Sequence, residues 1–284
     1  MTGYAEIYTI AERYFAPKRE QLIELLRKRL TADFRETAKI RPLEIVDFGS
    51  GDGLLIRGIA SRLPAPLRAR LSLTCVEPED SNFAALTATF NGAAGLLRAV
   101  TLFKGGMKEY LAQNKLPFDA CLMTHMLYHI PLERWQDEIA AALARTSGHA
   151  YITLVEEDTD AYNLAKATMP PAAQGGQAIG GGYIFASDLD RVLSAFKNID
   201  IAKYPNFGVF DIPKADQLQF IEAAEQCPQK LPGLPFVRFL SFILRKPETE
   251  IAANEKFIAA LAAHLKEEGC MTSTDTVFRL TPRP

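Results

Sequence analysis

The stretch LEIVDFGSGDG, residues 43–53, decides the fold of this 284-residue chain. Its first six residues read as a short buried strand that runs into Gly49, Gly51 and Gly53, and the pattern over 54–63 is helical. Because glycine lacks a Cβ, these glycines let the backbone adopt positive φ and let a ligand approach the main chain closely. The helix that follows directs free N–H groups and its positive end toward the same place. The stretch therefore predicts a strand, a ligand-binding turn and a helix.

The acid before the glycines discriminates between two classes of ligand. Dinucleotide sites use the spacing G-x-G-x-x-G, with a pyrophosphate at the helix end. Here the order is D-x-G-x-G-x-G, and the Asp47 carboxylate would repel a pyrophosphate but suit a cationic group such as an ammonium. This order resembles the first motif of class I S-adenosylmethionine (SAM) methyltransferases, which would place Asp47, Gly49, Ser50 and Gly51 at the cofactor. A nicotinamide-dependent oxidoreductase and a strand–turn–helix without a ligand are the alternatives.

A second acid stands at the end of the next predicted strand, where residues 71–76 lead into Glu77 and Pro78. Open α/β sheets bind ligands at the carboxyl ends of their strands. A carboxylate there can accept both hydroxyls of a ribose, although a solvated loop acid is the alternative for Glu77. A further strand, 118–124, also has a polar end. This succession follows the methyltransferase order, so we assign Glu77 and Pro78 to the cofactor.

Strands and helices alternate along the chain, which predicts parallel strands joined by right-handed crossovers. We expect an α/β, Rossmann-like, seven-stranded, mostly parallel sheet, with a late strand at its antiparallel edge and a Pro- and Gly-rich loop over 169–182. The predicted strands are 43–48, 71–76, 98–103, 118–124, 150–156, 199–203 and 275–280. The predicted helices are 4–14, 19–30, 52–63, 79–90, 106–113, 132–146, 187–196, two segments within 205–250, and 251–268.

Three functional segments follow from this pattern. Residues 1–34 form an N-terminal helical lid, or else helices packed on the flank of the sheet. Residues 35–157 form the SAM-binding core. Residues 158–284 supply substrate-cap helices and the final strands that complete the same domain.

Composition excludes several classes of protein. A formal charge of −2 argues against a nucleic-acid partner, which requires clustered Lys and Arg. The sequence shows no signal peptide and no apolar run long enough for a membrane span, so we expect a cytoplasmic protein. The four cysteines are scattered, without disulfide or zinc spacing, and no acidic or histidine cluster indicates a metal. The expected partner is a small-molecule substrate, and monomer and dimer both stay open.

A closer resemblance extends over nearly the whole chain. The stretches MTHMLYH (123–129), YIFASDL (183–189) and STDTVF (273–278) are similar to the histamine N-methyltransferase group of small-molecule methyltransferases. The resemblance implies that Gly49 contacts the amino-acid portion of SAM and Glu77 the ribose. Further cofactor residues would be Asn82, Gly106, Met107 and Thr124, the last through its main chain. His125 would orient the substrate, and the pocket would be lined by Tyr4, Tyr128, His129 and Ser273.

Two departures from that family concern the substrate. The position of the family's acid that receives the substrate amine falls at Pro17, so histamine itself is not the expected substrate. The family's indole-bearing wall is absent, since the sole tryptophan is Trp135, and Tyr162 is the candidate to replace it.

The chemistry expected is alignment of a nucleophile with the sulfonium methyl group, which orientation alone accelerates strongly. A protonated amine cannot attack, so we take His125 and His129 as catalytic candidates that accept a proton. A core-edge histidine is the alternative for either. Tyr4 and Tyr8, with Tyr14 and Phe15, could form an aromatic wall for the substrate, or simply core.

The sequence thus favours a SAM-dependent methyltransferase acting on a nitrogen of a small molecule, an amine or an imidazole-like group. One alternative is O-methylation of a small carboxylate or phenol with His125 as base. Another is a SAM-binding protein without catalytic activity.

Overall fold

The structure is a computed structural model, and it describes residues 4–91, 95–169, 185–244 and 246–283. The strands are β1 (Leu43–Phe48), β2 (Leu71–Glu77), β3 (Ala99–Lys104), β4 (Phe118–Thr124), β5 (Thr146–Thr159), β6 (Ile199–Phe210) and β7 (Met271–Pro282). The helices of the first half are α1 (Tyr4–Phe34), α2 (Thr37–Ile40), α3 (Leu54–Arg62), α4 (Ala65–Arg68), α5 (Asp80–Phe90), α6 (Met107–Gln113) and α7 (Trp135–Leu143). Those of the second half are α8 (Asp160–Thr168), α9 (Ala186–Leu193), α10 (Lys214–Gln226), α11 (Pro235–Leu244), α12 (Glu248–Ala252) and α13 (Glu255–Glu268).

The described strands form one seven-stranded sheet in the order β3-β2-β1-β4-β5-β7-β6. Strand β1 pairs in parallel with β2 and β4, β2 with β3, and β4 with β5. In this register Phe48 stands opposite Val76, and Thr124 opposite Thr153. The five neighbouring strands β3, β2, β1, β4 and β5 therefore run in the same direction, with their carboxyl ends toward one edge. The predicted fold class, a mostly parallel Rossmann-like sheet, is confirmed.

Apolar side chains alternate between two cores, one on each face of the sheet. Leu43 and Ile45 of β1 belong to a cluster with α3, α5 and the part of α1 from Leu22 onward. Val46 and Phe48 belong to a second cluster with α6, α7 and α9. Both faces are thus covered, which explains why β4 is buried along nearly its whole length and reads as a continuous apolar run.

The chain divides into two compact units, each built from three segments. Unit 2 comprises residues 20–155, 184–206 and 275–284, and contains both sheet cores. Unit 1 comprises residues 1–19, 156–183 and 207–274. Its own core collects apolar side chains of α8, α10, α11 and α13, together with Ala11 and Tyr14 of α1.

The N-terminal prediction of two helices, 4–14 and 19–30, is wrong, because α1 continues through Pro17. A proline inside a helix loses one backbone hydrogen bond and strains the preceding turn. Buried side chains on both sides of Pro17, Tyr14 before it and Leu22 after it, stabilise the continuous helix. The part from residue 20 onward packs on the sheet as a flank helix, the second of the two placements considered.

Other boundaries shift as well. The helix predicted over 132–146 is a 3-10 turn (Leu132–Arg134) followed by α7, and β5 already begins at Thr146. The last strand was expected at the sheet edge, yet β7 lies between β5 and β6, and β6 is the edge strand. Two helical segments were expected in 205–250, whose described residues hold the end of β6, the helices α10 and α11, a 3-10 turn (Pro228–Lys230) and the start of α12. The predicted loop 169–182 lies, beyond residue 169, outside the described residues.

Candidate functional site

The glycine turn after β1 has the left-handed backbone that its sequence predicts. Gly49, Gly51 and Gly53 have φ values of 69°, 57° and 78°. At Gly53 a Cβ would lie 2.5 Å from Leu86 of α5, so this glycine serves the packing of turn against helix. At Gly49 a Cβ would lie 2.5 Å from the Cβ of Met126, which follows β4. The turn is therefore held tightly between its neighbours, with its backbone groups at the edge of the sheet.

Glu77 ties this turn to the end of β2. Its carboxylate is buried, and one oxygen accepts the N–H of Gly51 at 2.8 Å while the other accepts the N–H of Glu79 at 3.0 Å. Gly49 and Ser50 also donate their N–H groups to the carbonyl of Val76. Each Glu77 oxygen keeps capacity for another donor, because an ionised carboxylate offers about four acceptor sites.

Asp47 lies beneath the turn and is 3% exposed. Burial, which penalises the charged form, raises the pKa of Asp47 to about 7, with Ser50 opposing this shift and the nearby Glu77 carboxylate contributing to it. The Ser50 hydroxyl donates to the Asp47 carbonyl at 2.9 Å and fixes the start of the turn. A buried carboxyl that is costly to ionise would gain from a cationic neighbour.

The remaining predicted cofactor residues lie at the starts of α5 and α6. Glu79 caps α5 by accepting the N–H of Asn82 at 2.8 Å. Pro78 is exposed, next to the buried Glu77. Met107, the first residue of α6, is 5% exposed and belongs to the core beneath that helix, and Gly106 precedes it as the N-cap. The structure thus gathers these residues, with the glycine turn, at the carboxyl ends of the strands.

His125 follows β4 directly and carries the most unusual backbone of the site. Its φ is 53°, the one positive φ of a non-glycine residue in the described part of the chain. Its N–H donates to the carbonyl of Thr153 at 3.1 Å, and its ring is stacked on that of Tyr128 at 15° between planes. Thr124, just before it, has a buried hydroxyl without a hydrogen-bond partner. His129, the other histidine candidate, is exposed at the end of a short 3-10 turn.

The predicted substrate residues outside this edge belong to unit 1. Ser273 is 1% exposed, and its hydroxyl accepts a hydrogen bond from the buried Lys18 ammonium group at 2.8 Å. Tyr162 on α8 is largely buried in the same unit. Tyr14 is entirely buried against Phe236 and Phe239, so it is core rather than a wall of a pocket. The side chains of Tyr4 and Tyr8 lie outside the described part of the chain.

Sequence comparisons give no relative, whereas structural comparisons give many. No protein-family model matches the chain, and no curated protein matches it significantly. The plantazolicin methyltransferase BpumL in complex with SAH is similar at 12% identity and a TM-score of 0.51, over 99% of this chain and 90% of that one. BpumL with a monoazolic desmethylPZN analog and SAH gives a TM-score of 0.52 at 12% identity, over 98% and 90% of the two chains.

A third similar structure is magnesium protoporphyrin IX methyltransferase from Synechocystis PCC 6803 with bound SAH, at 15% identity and a TM-score of 0.46 over 69% of this chain and 78% of that one. Identities this low concern architecture alone. The BpumL alignments extend over nearly the whole chain, including the seven-stranded sheet of this protein described above. The chain has the class I methyltransferase fold.

Within this methyltransferase fold, sequence reasoning missed two residues that carry charge into the interior. Asp275 of β7 is fully buried 3.5 Å from the His125 ring, and Lys18 is buried within α1. The sequence could have indicated Asp275, because this residue is the one carboxylate in a stretch that otherwise suits a buried strand. No signal distinguished Lys18 from the other basic residues of its helix.

The described residues contain neither a metal-binding cluster nor a helix suited to cross a membrane. No group of three or more His, Cys, Asp or Glu side chains there is arranged to hold a metal ion. Nor does any described helix combine the length and apolarity needed to cross a bilayer.

Proposed function

We propose that the protein is a SAM-dependent methyltransferase that transfers a methyl group to a nitrogen of a small molecule, an amine or an imidazole-like group. The observation that carries the proposal is the buried Glu77 carboxylate, hydrogen-bonded to the N–H of Gly51 in a left-handed glycine turn. This arrangement places a carboxylate at the end of a strand next to the main chain of the glycine turn, at the edge where α/β sheets bind ligands.

The residues of this edge fit the proposed cofactor. Glu77 keeps acceptor capacity on both oxygens, enough for two vicinal ribose hydroxyls. The buried carboxyl of Asp47 would be favoured in its ionised form by a cationic amino-acid portion nearby. Gly49 would hold that portion, Asn82 and Met107 the adenosine side, and Thr124 would offer its main chain.

Bound SAM would supply a methyl carbon made electrophilic by the sulfonium. The chain's part is to orient the acceptor, to exclude water and to take up the proton that the acceptor loses. His125 is suited to the last task, because it projects from the end of β4 with its side chain 37% exposed. His129 is exposed and stays a second candidate. Tyr128 borders His125 through the stacked rings.

A second candidate function is O-methylation of a small carboxylate or phenol. Lys18 favours O-methylation. It comes one residue after Pro17, the position of the amine-receiving acid in the resembling family, and its ammonium group is buried in unit 1 beside Ser273. A buried ammonium group disfavours a cationic substrate in its neighbourhood. Tyr162 and Ser273, with Tyr4 and Tyr8, remain the proposed substrate contacts.

Calorimetric titration of the full chain with SAM and SAH tests the cofactor assignment. Glu77→Ala is expected to weaken binding at least tenfold, since it removes the proposed ribose acceptor. Glu44→Ala is the matched control, because this half-exposed glutamate is at the opposite end of β1. Absence of binding of both SAM and SAH to the wild-type protein would refute the proposal.

The glycine turn has its own variant. Gly49→Ala should abolish SAM binding, because the new Cβ meets Met126 at 2.5 Å in a left-handed backbone. Gly269→Ala, at a φ of 68° with no atom within 4 Å, imposes comparable backbone strain without crowding and is expected to bind SAM normally. Equal affinities of the two variants would contradict the assignment of the turn.

The acceptor is identified by incubating the protein with SAM labelled in its methyl group and with amines, imidazoles, phenols and carboxylates in turn. Mass spectrometry of the products separates N- from O-methylation. Binding of SAM without turnover on any of these classes would instead indicate a protein that binds the cofactor without catalysing transfer.

A further inference from the structure

The backbone of His125 has a left-handed conformation at the end of β4. A φ of 53° lies in the left-handed region, which few residues other than glycine adopt, although histidine is found there more often than most side chains. Such strain persists only where surrounding contacts over-determine the conformation, and it concentrates at functional sites. The contacts that hold His125 are therefore informative.

Both ring nitrogens of His125 have a polar neighbour. Nε2 is 3.5 Å from the Asp275 carboxylate, and Nδ1 is 3.3 Å from the Tyr128 hydroxyl. The Tyr128 oxygen also accepts the N–H of Val155 at 2.8 Å, which fixes the phenol at the end of β5. A carboxylate accepts hydrogen bonds only, whereas a phenol donates as well as accepts. The two sides of the ring thus differ in kind.

Asp275 makes the two nitrogens of the His125 ring inequivalent. It lies on β7 with no exposed surface, whereas His125 is partly exposed at the sheet edge. A buried carboxylate is costly unless polar partners compensate it. Nε2 is the ring nitrogen nearer to Asp275, so a proton on Nε2 would lower this cost and would leave Nδ1 as the basic nitrogen.

We propose that Asp275 is a positioning residue that holds His125 in its Nε2–H tautomer, so that Nδ1, bordered by the Tyr128 hydroxyl, accepts the proton of the methyl acceptor. This inference rests on the proposed function and narrows its substrate class. The acceptor must lose an N–H or O–H proton on methylation, either from the nucleophilic atom itself, as in a phenol, or from the second ring nitrogen, as in an imidazole. Its lone pair forms the bond to the methyl carbon, the electrons of the carbon–sulfur bond stay on sulfur, and the released proton goes to Nδ1 directly or through the Tyr128 hydroxyl.

The first test measures the tautomer without any turnover. Full-length protein labelled with ¹⁵N-histidine is studied by ¹H–¹⁵N correlation NMR at a pH well above the ordinary histidine pKa of about 6.5, and His125→Gln assigns the signals. We expect an Nε2–H pattern for His125 in the wild-type protein. In Asp275→Asn, a second tautomer should appear. A wild-type Nδ1–H pattern would overturn the proposal, as would an unchanged spectrum in the variant.

Asp33→Asn is the matched control for this measurement. Asp33 is another carboxylate near a histidine of unit 2, with its side chain 11% exposed and its oxygen 3.9 Å from His149 Nε2, and it contacts neither His125 nor Tyr128 in the described residues. Its removal should leave the His125 signals in place. A change of the His125 tautomer in this control would show that general loosening, and not Asp275, sets the tautomer.

The second test separates this inference from the proposed function. Asp275→Asn should bind SAM within twofold of the wild type, keep its KM for an imidazole or phenol acceptor, and lose about 100-fold in kcat, the scale of a proton-transfer contribution. With a pyridine acceptor, which has no proton to release, kcat should change less than threefold. Equal losses on both kinds of acceptor would overturn the positioning role while SAM binding still stood. Failure of the wild type to bind SAM would refute the proposed methyltransferase function, and with it the proton transfer to His125.

Discussion

Asp47 shows how a single buried carboxyl couples the site to pH. Because the folded state raises its pKa to about 7 from its ordinary value of 3.8, the folded chain binds this proton more tightly than the unfolded chain. Stability from this group is therefore full at pH values below about 3.8 and is lost progressively as the pH rises through 7. At neutral pH the buried Asp47 carboxyl therefore lowers the stability of the protein without bound cofactor. A residue that served the fold alone would not need this destabilising carboxyl.

Replacing this carboxyl with an amide tests the cost directly. Asp47→Asn should be more stable than the wild type at pH 8 and gain less at pH 5, where the native carboxyl is already protonated. Urea unfolding at both pH values measures the difference. A gain that is independent of pH would contradict the raised pKa of Asp47.

The same titration predicts a pH-dependent affinity for the cofactor. A cationic group favours the ionised carboxyl, so SAM affinity should rise between pH 6 and pH 8, and this rise should be smaller in Asp47→Asn. The ammonium group of SAM titrates equally with both proteins, so the difference between them isolates Asp47. Parallel pH curves for the two proteins would contradict a contact between Asp47 and the cationic portion.

At this scale the sequence predicts well only what is local. Glu77 and the glycines come within a few residues of a strand end, so their grouping follows from the topology of a parallel sheet. Asp275 reaches His125 from a strand about 150 residues further along, and no spacing rule connects the two. The burial of Lys18 was equally beyond prediction, because it depends on residues of β6 and β7 around it.

Among the elements, the junction of α1 with β5 and β7 concentrates polar groups inside unit 2. Asp33 accepts hydrogen bonds from Tyr151 and from Arg279, and the His149 ring is beside it. Burial lowers the pKa of His149, with the Arg279 charge acting in the same direction and Asp33 opposing both. The folded state therefore favours neutral His149.

This cluster predicts loss of stability in mild acid. The unfolded chain takes up a proton at His149 near its ordinary pKa of about 6.5, whereas the folded chain resists it, so the free energy of unfolding should fall as the pH drops below that value. In His149→Gln this part of the fall should disappear. Urea unfolding between pH 7.5 and pH 5.5 measures it, with the exposed His129→Gln as control. An identical slope in wild type and His149→Gln would contradict the burial effect.

The elements were predictable where apolar runs and turn residues agreed. Strands β1, β2 and β4 match their predicted bounds within one residue, because most residues of each are buried and a clear turn follows each strand. The continuity of α1 was missed because Pro17 normally ends a helix, and here burial of the flanking side chains overrides it. The length of β6 was missed because its outward residues are exposed and its pattern is broken by Pro205.

For the molecule as a whole, cofactor binding should stabilise one unit selectively. The proposed cofactor residues all belong to unit 2, and a ligand at 100 times its Kd stabilises the folded form by about 2.7 kcal/mol. Differential scanning calorimetry with and without SAM should show an upward shift, confined to one transition if the units unfold separately. Glu77→Ala should show little shift at the same SAM concentration. An equal shift in Glu77→Ala would contradict binding at this edge.

The position of β7 in the chain has a consequence for biosynthesis. This strand lies between β5 and β6 in the sheet, yet it is translated after both, and its part from Asp275 onward follows the last segment of unit 1. While the nascent chain is still on the ribosome, β5 and β6 each have an unpaired edge, the kind of surface that invites pairing with other chains. Since Asp275 arrives on this strand, the basic nitrogen of His125 is defined only once synthesis has passed β7. Methyl transfer would then begin only in chains whose sheet has been closed.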